Sequence, residues 1–476
     1  MGREEAGHAV TEAGSRSAVP GEVRRRAVVM GGSIAGLLAS RVLSEAYDEV
    51  VVVDRDELTD APGVRRGTPQ GRHVHGLLAR GQQIFEDHFP GITAELVAAG
   101  AVTGDVTGNV RWIMDGRSMR KHPCGLLTVS AARPTLERHI RDRVHALANV
   151  TFLDRHEVTG LRLTSRNGRP DDTVRGRSPG QVTGVRVVDR AGAGAESVLG
   201  ADLVVDTMGR GSRVAHWLAD RGLAGVREDR TSVGITYTTR HYRLAAAPSP
   251  GDVSLDIVAT PDHPRGAICA RIDGDRYVVT AYGILGDAPP ADQEGFLDFL
   301  KSLSSPEIYE ALVDGEPLDV PVSHRFPASL RRRYECLERY PAGLLAMGDA
   351  VCSFNPTYAQ GMAVAALGSL VLRSHVTGGA TPDPLAYFQD LARDAVDEAW
   401  RQALCNDLSF PEVDGERTPE IIADQEYVGR ILEAAIHDGE VAAAYARVIG
   451  LVDPPEALRA PRMLEAVTGR EICAAR

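Results

Sequence analysis

The tightest constraint on this chain lies between residues 26 and 54. An apolar strand at 26–30 runs into Gly31-Gly32-Ser33-Ile34-Ala35-Gly36, and residues 34–46 then carry apolar side chains at helical period. A second apolar strand, 50–53, ends at Asp54. Glycines at this spacing between a strand and a helix let a pyrophosphate approach the helix N-terminus, where free N–H groups and the helix dipole favour an anion. Gly31 permits the tight turn, and Gly36 lets helix and strand pack closely. The middle position, ordinarily glycine, is Ser33, which is small and carries a hydroxyl able to donate to phosphate. Ile34 and Ala35 bring the first helical N–H groups to the same place. Asp54, 18 residues past Gly36, is positioned to accept from ribose hydroxyls. These residues predict a parallel sheet that holds a dinucleotide.

A second motif selects among dinucleotides. About 310 residues later an apolar strand ends at Gly348-Asp349, followed by Phe354-Asn355-Pro356-Thr357-Tyr358-Ala359-Gln360-Gly361-Met362. An acid at a strand end can bind the ribityl hydroxyls of a flavin. The helix behind it, read as capped by Asn355 with Pro356 in its first position, aims its positive end at the flavin N1/O2 edge. Negative charge develops there on reduction, so the pair of motifs favours FAD over NAD.

Two further segments lie between them: Ala132-Arg133-Pro134-Thr135-Leu136-Glu137-Arg138 and Asp206-Thr207-Met208-Gly209-Arg210-Gly211-Ser212-Arg213. With these, the chain resembles the single-component flavoprotein monooxygenases of the p-hydroxybenzoate hydroxylase fold over roughly residues 25–375. Gly71–Leu78 and Phe354–Met362 are closer to the actinobacterial natural-product branch, with its hydroxylases, polyether epoxidases and distant kin of squalene epoxidase. The resemblance implies that Gly31, Ser33 and Gly36 hold the pyrophosphate and Asp54 the adenosine ribose, with Arg55 near the adenine. It implies that Arg133 reaches the flavin phosphate or ribityl region and that Asp349 binds the ribityl chain. Gly361 and Met362 would approach the pyrimidine edge through backbone N–H groups. The implied activity is hydroxylation or epoxidation of a hydrophobic small molecule in secondary metabolism, with electrons from NAD(P)H or from a separate flavin reductase.

The sequence departs from that pattern twice. The family's Asp-Gly pair falls at Met208-Gly209, so the acid linked to nicotinamide-cofactor contacts is missing, which sets a separate reductase against direct reduction. The glycine before Gln-Gly-Met is Ala359, which narrows the approach beside the flavin. The same architecture serves flavoprotein [4+2] cyclases of spirotetronate pathways, which use FAD as a scaffold without net redox change. The missing acid suits that alternative as well.

The remaining features bound the answer. A chain of 476 residues exceeds what one core sustains, so several units are expected. The fold class predicted is α/β, α+β overall: a discontinuous FAD domain at 24–225 and 339–380, an antiparallel substrate domain at 226–338, a helical region at 381–476 and a tail at 1–23. A net charge of −12 excludes nucleic acid or an anionic membrane as the main partner. The six cysteines show no C-x-x-C spacing, which disfavours a disulfide framework or zinc and suits a reducing cytoplasm. No apolar leader or run of about 18 apolar residues is present. His73 and His75 read either as loop residues that donate hydrogen bonds or as lining of the flavin cavity, with covalent attachment of the flavin the least favoured; their spacing does not suit a metal. His75, Tyr237, Phe354 and Pro356 are the candidate pocket residues. No catalytic side chain is singled out, since the flavin would carry the hard step.

Overall fold

The computed structural model describes residues 25–58, 63–164, 180–192, 194–223, 225–379 and 381–474. The predicted tail and nearly all of the polar loop expected at 165–180 fall outside them.

Five parallel strands form the nucleotide sheet, in the order Leu344–Ala346, Leu203–Asp206, Arg26–Met30, Glu49–Val53, Val150–Leu153. Strands of this kind are buried on both faces, hence their unbroken apolar runs; Val28, Val50, Val52, Val204 and Leu344 have no exposed surface. Helices Ile34–Leu43 and Gln360–Val376 pack against each other, and Arg133–His145 packs on the first of them. Because the strands run parallel, the segments after Met30, Asp206 and Ala346 all emerge at the same end of the sheet. Three stretches far apart in sequence are thereby brought to one place.

The second sheet has eight strands. Its order is Glu316–Pro317, Ile235–Arg243, Arg276–Gly283, Arg265–Ile272, Ser254–Val258, Val110–Met114, Arg117–Ser118, with Val322–Phe326 also paired to Ile235–Arg243. A hairpin between two of these strands turns at Asp273-Gly274-Asp275, where Gly274 and Asp275 have φ of 73° and 53°. The outer face of this sheet (Tyr242, Leu255, Ile257, Cys269, Val279) is sealed by Phe296, Phe299, Ile308 and Leu312 of helices Gln293–Lys301 and Glu307–Val313. The inner face therefore looks the other way, toward the nucleotide domain. It meets Val74 and Ala132 in one place and Leu408, Phe410 and Val413 in another.

Two features cross the sequence-derived borders. Val110–Met114 lies inside the first FAD segment, yet pairs in parallel with Ser254–Val258 and extends the second sheet. Trp112 and Met114 are anchored on the C-terminal helices, against the cluster of Tyr427, Ile431 and Val441, so long-range packing sets this strand, with no periodic signal in the sequence. Glu228–Thr231, Ser329–Arg332 and Cys352–Ser353 form a small antiparallel sheet that sews residues before and after 339 together. Beyond residue 384 the chain is helical, and among the described residues no helix is long and apolar enough to cross a membrane.

Candidate functional site

The two glycine-bearing motifs meet. Gly31 has φ of 106°, and a Cβ built on Gly36 would lie 1.8 Å from the Gly31 carbonyl oxygen. A Cβ on Gly348, whose φ is 64°, would lie 2.7 Å from the Cβ of Ala35. A Cβ on Gly361 would lie 3.6 Å from Asp349 Oδ1. The start of helix Ile34–Leu43, the Gly348-Asp349 turn and the start of helix Gln360–Val376 thus form one cradle with side chains excluded where the walls touch. The N–H groups of Ser33, Ile34, Ala35 and Gly36 precede the first intrahelical bond, Leu37 N–H to the Ser33 carbonyl at 2.9 Å, and lead into it.

A buried charge cluster stands beside that helix start. Ser33 Oγ donates to Glu137 Oε2 at 2.9 Å, and Arg133 lies 3.3 Å from both atoms. Glu137 also pairs with Arg65, and with Arg141 at 3.6 Å. Arg65 in turn stands 3.6 Å from Asp54 and from Asp56. The Ser33 hydroxyl, expected to face phosphate, is turned instead onto Glu137, because that carboxylate is the strongest acceptor within reach. Burial alone would raise the pKa of Glu137, but Arg133 and Arg65 hold it below the ordinary glutamate value. Glu137 lies in a motif quoted above, though no role was assigned to it; its i, i+4 spacing from Arg133 and Arg141 on one helix was the available signal. Asp54 accepts from the N–H of Gly32 at 2.7 Å and of Asp56 at 2.8 Å, so it holds the turn while keeping a lone pair free on each oxygen. Arg55 is exposed at the rim.

Asp349 stands beside Gly209 and Gly361, and burial raises its pKa against the lowering pull of Arg133 and Arg210. The residue is nonetheless exposed. The strand-end acid two residues before Met208 does not take the missing acid's place. Asp206 is fully buried, accepts from Met208 N at 3.0 Å and from the Ser212 hydroxyl, and is pushed up to about 6 by burial. It closes its own turn.

The segment after Phe354 differs from expectation. Asn355 caps only the short turn Pro356–Tyr358, accepting from Thr357 N at 3.0 Å, and the long helix begins at Gln360. Asp407 is the reason. This buried acid accepts from Asn355 Nδ2 at 2.8 Å, Tyr358 Oη at 2.7 Å and Ser329 Oγ at 3.2 Å, and so pins a separate turn. Ala359, with φ of 55° and ψ of 18°, occupies the left-handed region that explains the family's glycine. Its methyl faces Gly76, where a Cβ would lie 3.0 Å away. Asp407 sits far along the chain in a segment without a readable motif, and sequence inspection missed it.

The loop bearing His73 and His75 bridges cradle and roof. His73 Nδ1 lies 2.8 Å from Thr239 Oγ1, which lies 2.6 Å from Thr280 Oγ1; that oxygen accepts from Val74 N at 3.2 Å. Burial lowers His73 to about 4 and His75 to about 3, so both are neutral imidazoles. A cleft of about 430 Å³ runs between them, lined also by Arg133, Thr239, His241 and Val278. Of the expected pocket residues, His75 lines this cleft, and Tyr237 stands edge-on to His73 with ring centroids 4.5 Å apart. Phe354 is buried beside Trp400, and Pro356 is exposed.

A parallel nucleotide sheet, a glycine cradle closed by a distant strand-end acid and an antiparallel roof define the p-hydroxybenzoate hydroxylase-like flavoprotein fold. The chain belongs to the family of Protein Rv3254 of Mycobacterium tuberculosis, to which it is 34% identical over 423 residues, 84% of this chain and 83% of that protein. No family model matches the chain. Among solved structures it is similar to the flavin-dependent brominase Bmp2 (TM-score 0.63, 14% identity, 94% of this chain and 99% of that one). It is similar to PqsL of Pseudomonas aeruginosa, a probable FAD-dependent monooxygenase (0.57, 17%, 81% and 98%), and to the Diels-Alderase PyrE3 of pyrroindomycin biosynthesis (0.57, 18%, 90% and 81%). The group this fold implies is FAD, and the residues fit it: glycines where a Cβ would fill the cradle, an open Asp349, and a buried Arg133 Nε that lacks a protein partner.

Proposed function

We propose that the chain is an FAD-dependent monooxygenase that places one oxygen atom of O2 on a hydrophobic small molecule, by hydroxylation or epoxidation. The meeting of Gly348-Asp349 with the Ala35 helix start, under the inner face of the second sheet, is the observation that carries this reading. Ser33–Gly36 N–H groups and Arg133 would hold the pyrophosphate, Asp54 the adenosine ribose with Arg55 beside the adenine, and Asp349 the ribityl chain. Gly361 and Met362, at the start of helix Gln360–Val376, would present N–H groups to the pyrimidine edge. Reduced FAD bound there would supply the activation of O2. The chain's own part is to orient the substrate, exclude water and keep neutral imidazoles at positions 73 and 75, where a cation would be costly. The second atom of O2 leaves as water, with two electrons from NAD(P)H, delivered by a separate flavin reductase since position 208 carries no acid. We expect purified protein to take up FAD, and turnover under 18O2 with a reductase to add one labelled oxygen; an unlabelled product, or failure to bind FAD, overturns the reading.

Position 208 also favours a second reading. With Asp206 committed to its own turn and Met208 where the acid is absent, FAD would serve as scaffold for a redox-neutral [4+2] cyclisation. That reaction yields an isomer of the substrate under anaerobic conditions with oxidised FAD, whereas the oxygenase product gains 16 mass units, about one oxygen atom.

A further inference from the structure

The inner face of the second sheet carries an acid on one of its interior strands, Asp256, while Glu316 lies exposed on the edge strand and pairs with Arg243. Strand register aligns Thr239, Thr280, Ile268, Asp256 and Trp112 in a single row across five strands. Leu255 and Ile257, on either side of Asp256, point into the sealed outer core, so Asp256 points inward. Its row is covered at one end by the His73–Val74 loop through Thr239 and Thr280, and at the other by the C-terminal helices against Trp112. Between those covers Asp256 stays half-buried, although its strand is interior to the sheet. Its one hydrogen-bond partner among the described residues is the Ser254 hydroxyl. The titratable groups around it are Tyr282, from the next row on the same face, and Cys269, which belongs to the outer face. Tyr282 also lies within electrostatic reach of Tyr358, on the turn between Asp349 and the helix Gln360–Val376. The Asp256 side chain therefore points to the side of the sheet that faces the cradle.

We infer that Asp256 is the polar anchor of the substrate cavity: it accepts a hydrogen bond, and then the proton, from a hydroxyl or phenol on an otherwise apolar substrate. This rests on the oxygenase or cyclase reading only in placing the substrate under the inner face of the sheet. The step is a proton transfer. The substrate O–H breaks, an O–H forms on an Asp256 carboxylate oxygen, and no electrons change hands. Burial holds the Asp256 carboxyl up at about 7, against a weaker opposing effect of the Ser254 hydroxyl, so it can exchange its proton near neutrality. No Arg, Lys or His is among the groups that shift it. An acid this poorly partnered contributes little to holding the sheet, which leaves a ligand as its natural partner.

The test uses FAD-loaded protein with 2-naphthol and its methyl ether as matched probes, their affinities measured by equilibrium dialysis from pH 5.5 to 8.5, about 1.5 units either side of neutral. The wild type is expected to prefer the naphthol by about tenfold or more at the alkaline end, with the preference fading as pH falls through the titration of Asp256. Asp256→Asn should abolish the preference, leave ether binding and FAD content unchanged, and lose the pH dependence. Asp256→Glu should keep part of the preference. A naphthol preference that survives in Asp256→Asn, or that is flat with pH in the wild type, overturns the inference. Absence of binding of either probe to the wild type overturns it too. FAD uptake and 18O labelling are scored separately, so failure of the anchor is distinguishable from failure of the flavin reading.

Discussion

Replacing Glu137 with Gln removes the carboxylate shared by Arg65, Arg133 and Arg141. The side chains of Arg65 and Glu137 are each 4% exposed and that of Arg133 8%, so water cannot take over the lost role. Breaking a buried ion pair by removing one partner costs about 3–5 kcal/mol. Arg65 keeps Asp54 and Asp56 at 3.6 Å, which places the expected loss at the lower end, about 3 kcal/mol for the FAD-free protein. Three guanidiniums are balanced by three carboxylates before the change and by two after it. The incoming pyrophosphate of FAD would then restore counter-charge, so FAD should stabilise the variant more than the wild type. Urea midpoints of both proteins, with and without FAD, measure this. The pH dependence has a defined sign: the pKa of Glu137 is depressed from 4.5, so its stabilisation is complete above that value and is lost as pH falls through the depressed pKa. The variant should lack that acid limb. A loss below about 1 kcal/mol without FAD, or equal FAD-induced shifts in the two proteins, would refute the cradle charge balance.

Three further outcomes are expected. Gly36→Ala puts a methyl 1.8 Å from the Gly31 carbonyl, a backbone clash that no rotamer relieves, so flavin content after reconstitution should fall to near zero. Ala359→Gly should raise stability by about 0.5–1 kcal/mol, the left-handed penalty less the entropy of glycine, seen as a higher melting temperature. Asp407 is pushed up to about 6 by burial, so the wild type loses stability as pH rises from the ordinary aspartate value of 3.8 through that point. Asp407→Asn should flatten this window in pH-dependent melts, while unpinning Asn355 and Tyr358 enough to weaken FAD retention.

The parts of the site that could be read from sequence are those fixed by backbone geometry. Gly31, Gly36 and Gly348 are dictated by close approach and positive φ, so spacing alone found them. The strand end and helix start at 30–34 and the strand at 50–53 followed from apolar runs and helical period. The misread elements depend on partners far along the chain. Asn355 looked like the cap of a long helix because its short-range signals, an Asn before a Pro, are those of a cap. Asp407, 52 residues away, makes it the cap of a separate turn instead. Val110–Met114 could not be assigned because its pairing partner lies beyond residue 250 and its anchor beyond residue 425.

Asp256 shows a different kind of illegibility. In Ser254–Val258 the apolar residues alternate with Ser254 and Asp256, which is the pattern of a strand with one face in water. The second face is covered instead by elements from residues 73–74 and 427–467. Water in a cavity and bulk water leave the same mark on a sequence. What separates them is the cost of ionisation: burial drives the Asp256 carboxyl up to about 7. A polar residue on the apparently wet face of a strand becomes a candidate for the site when topology folds that face over a cofactor cradle. On the inner face of this sheet Asp256 meets that condition.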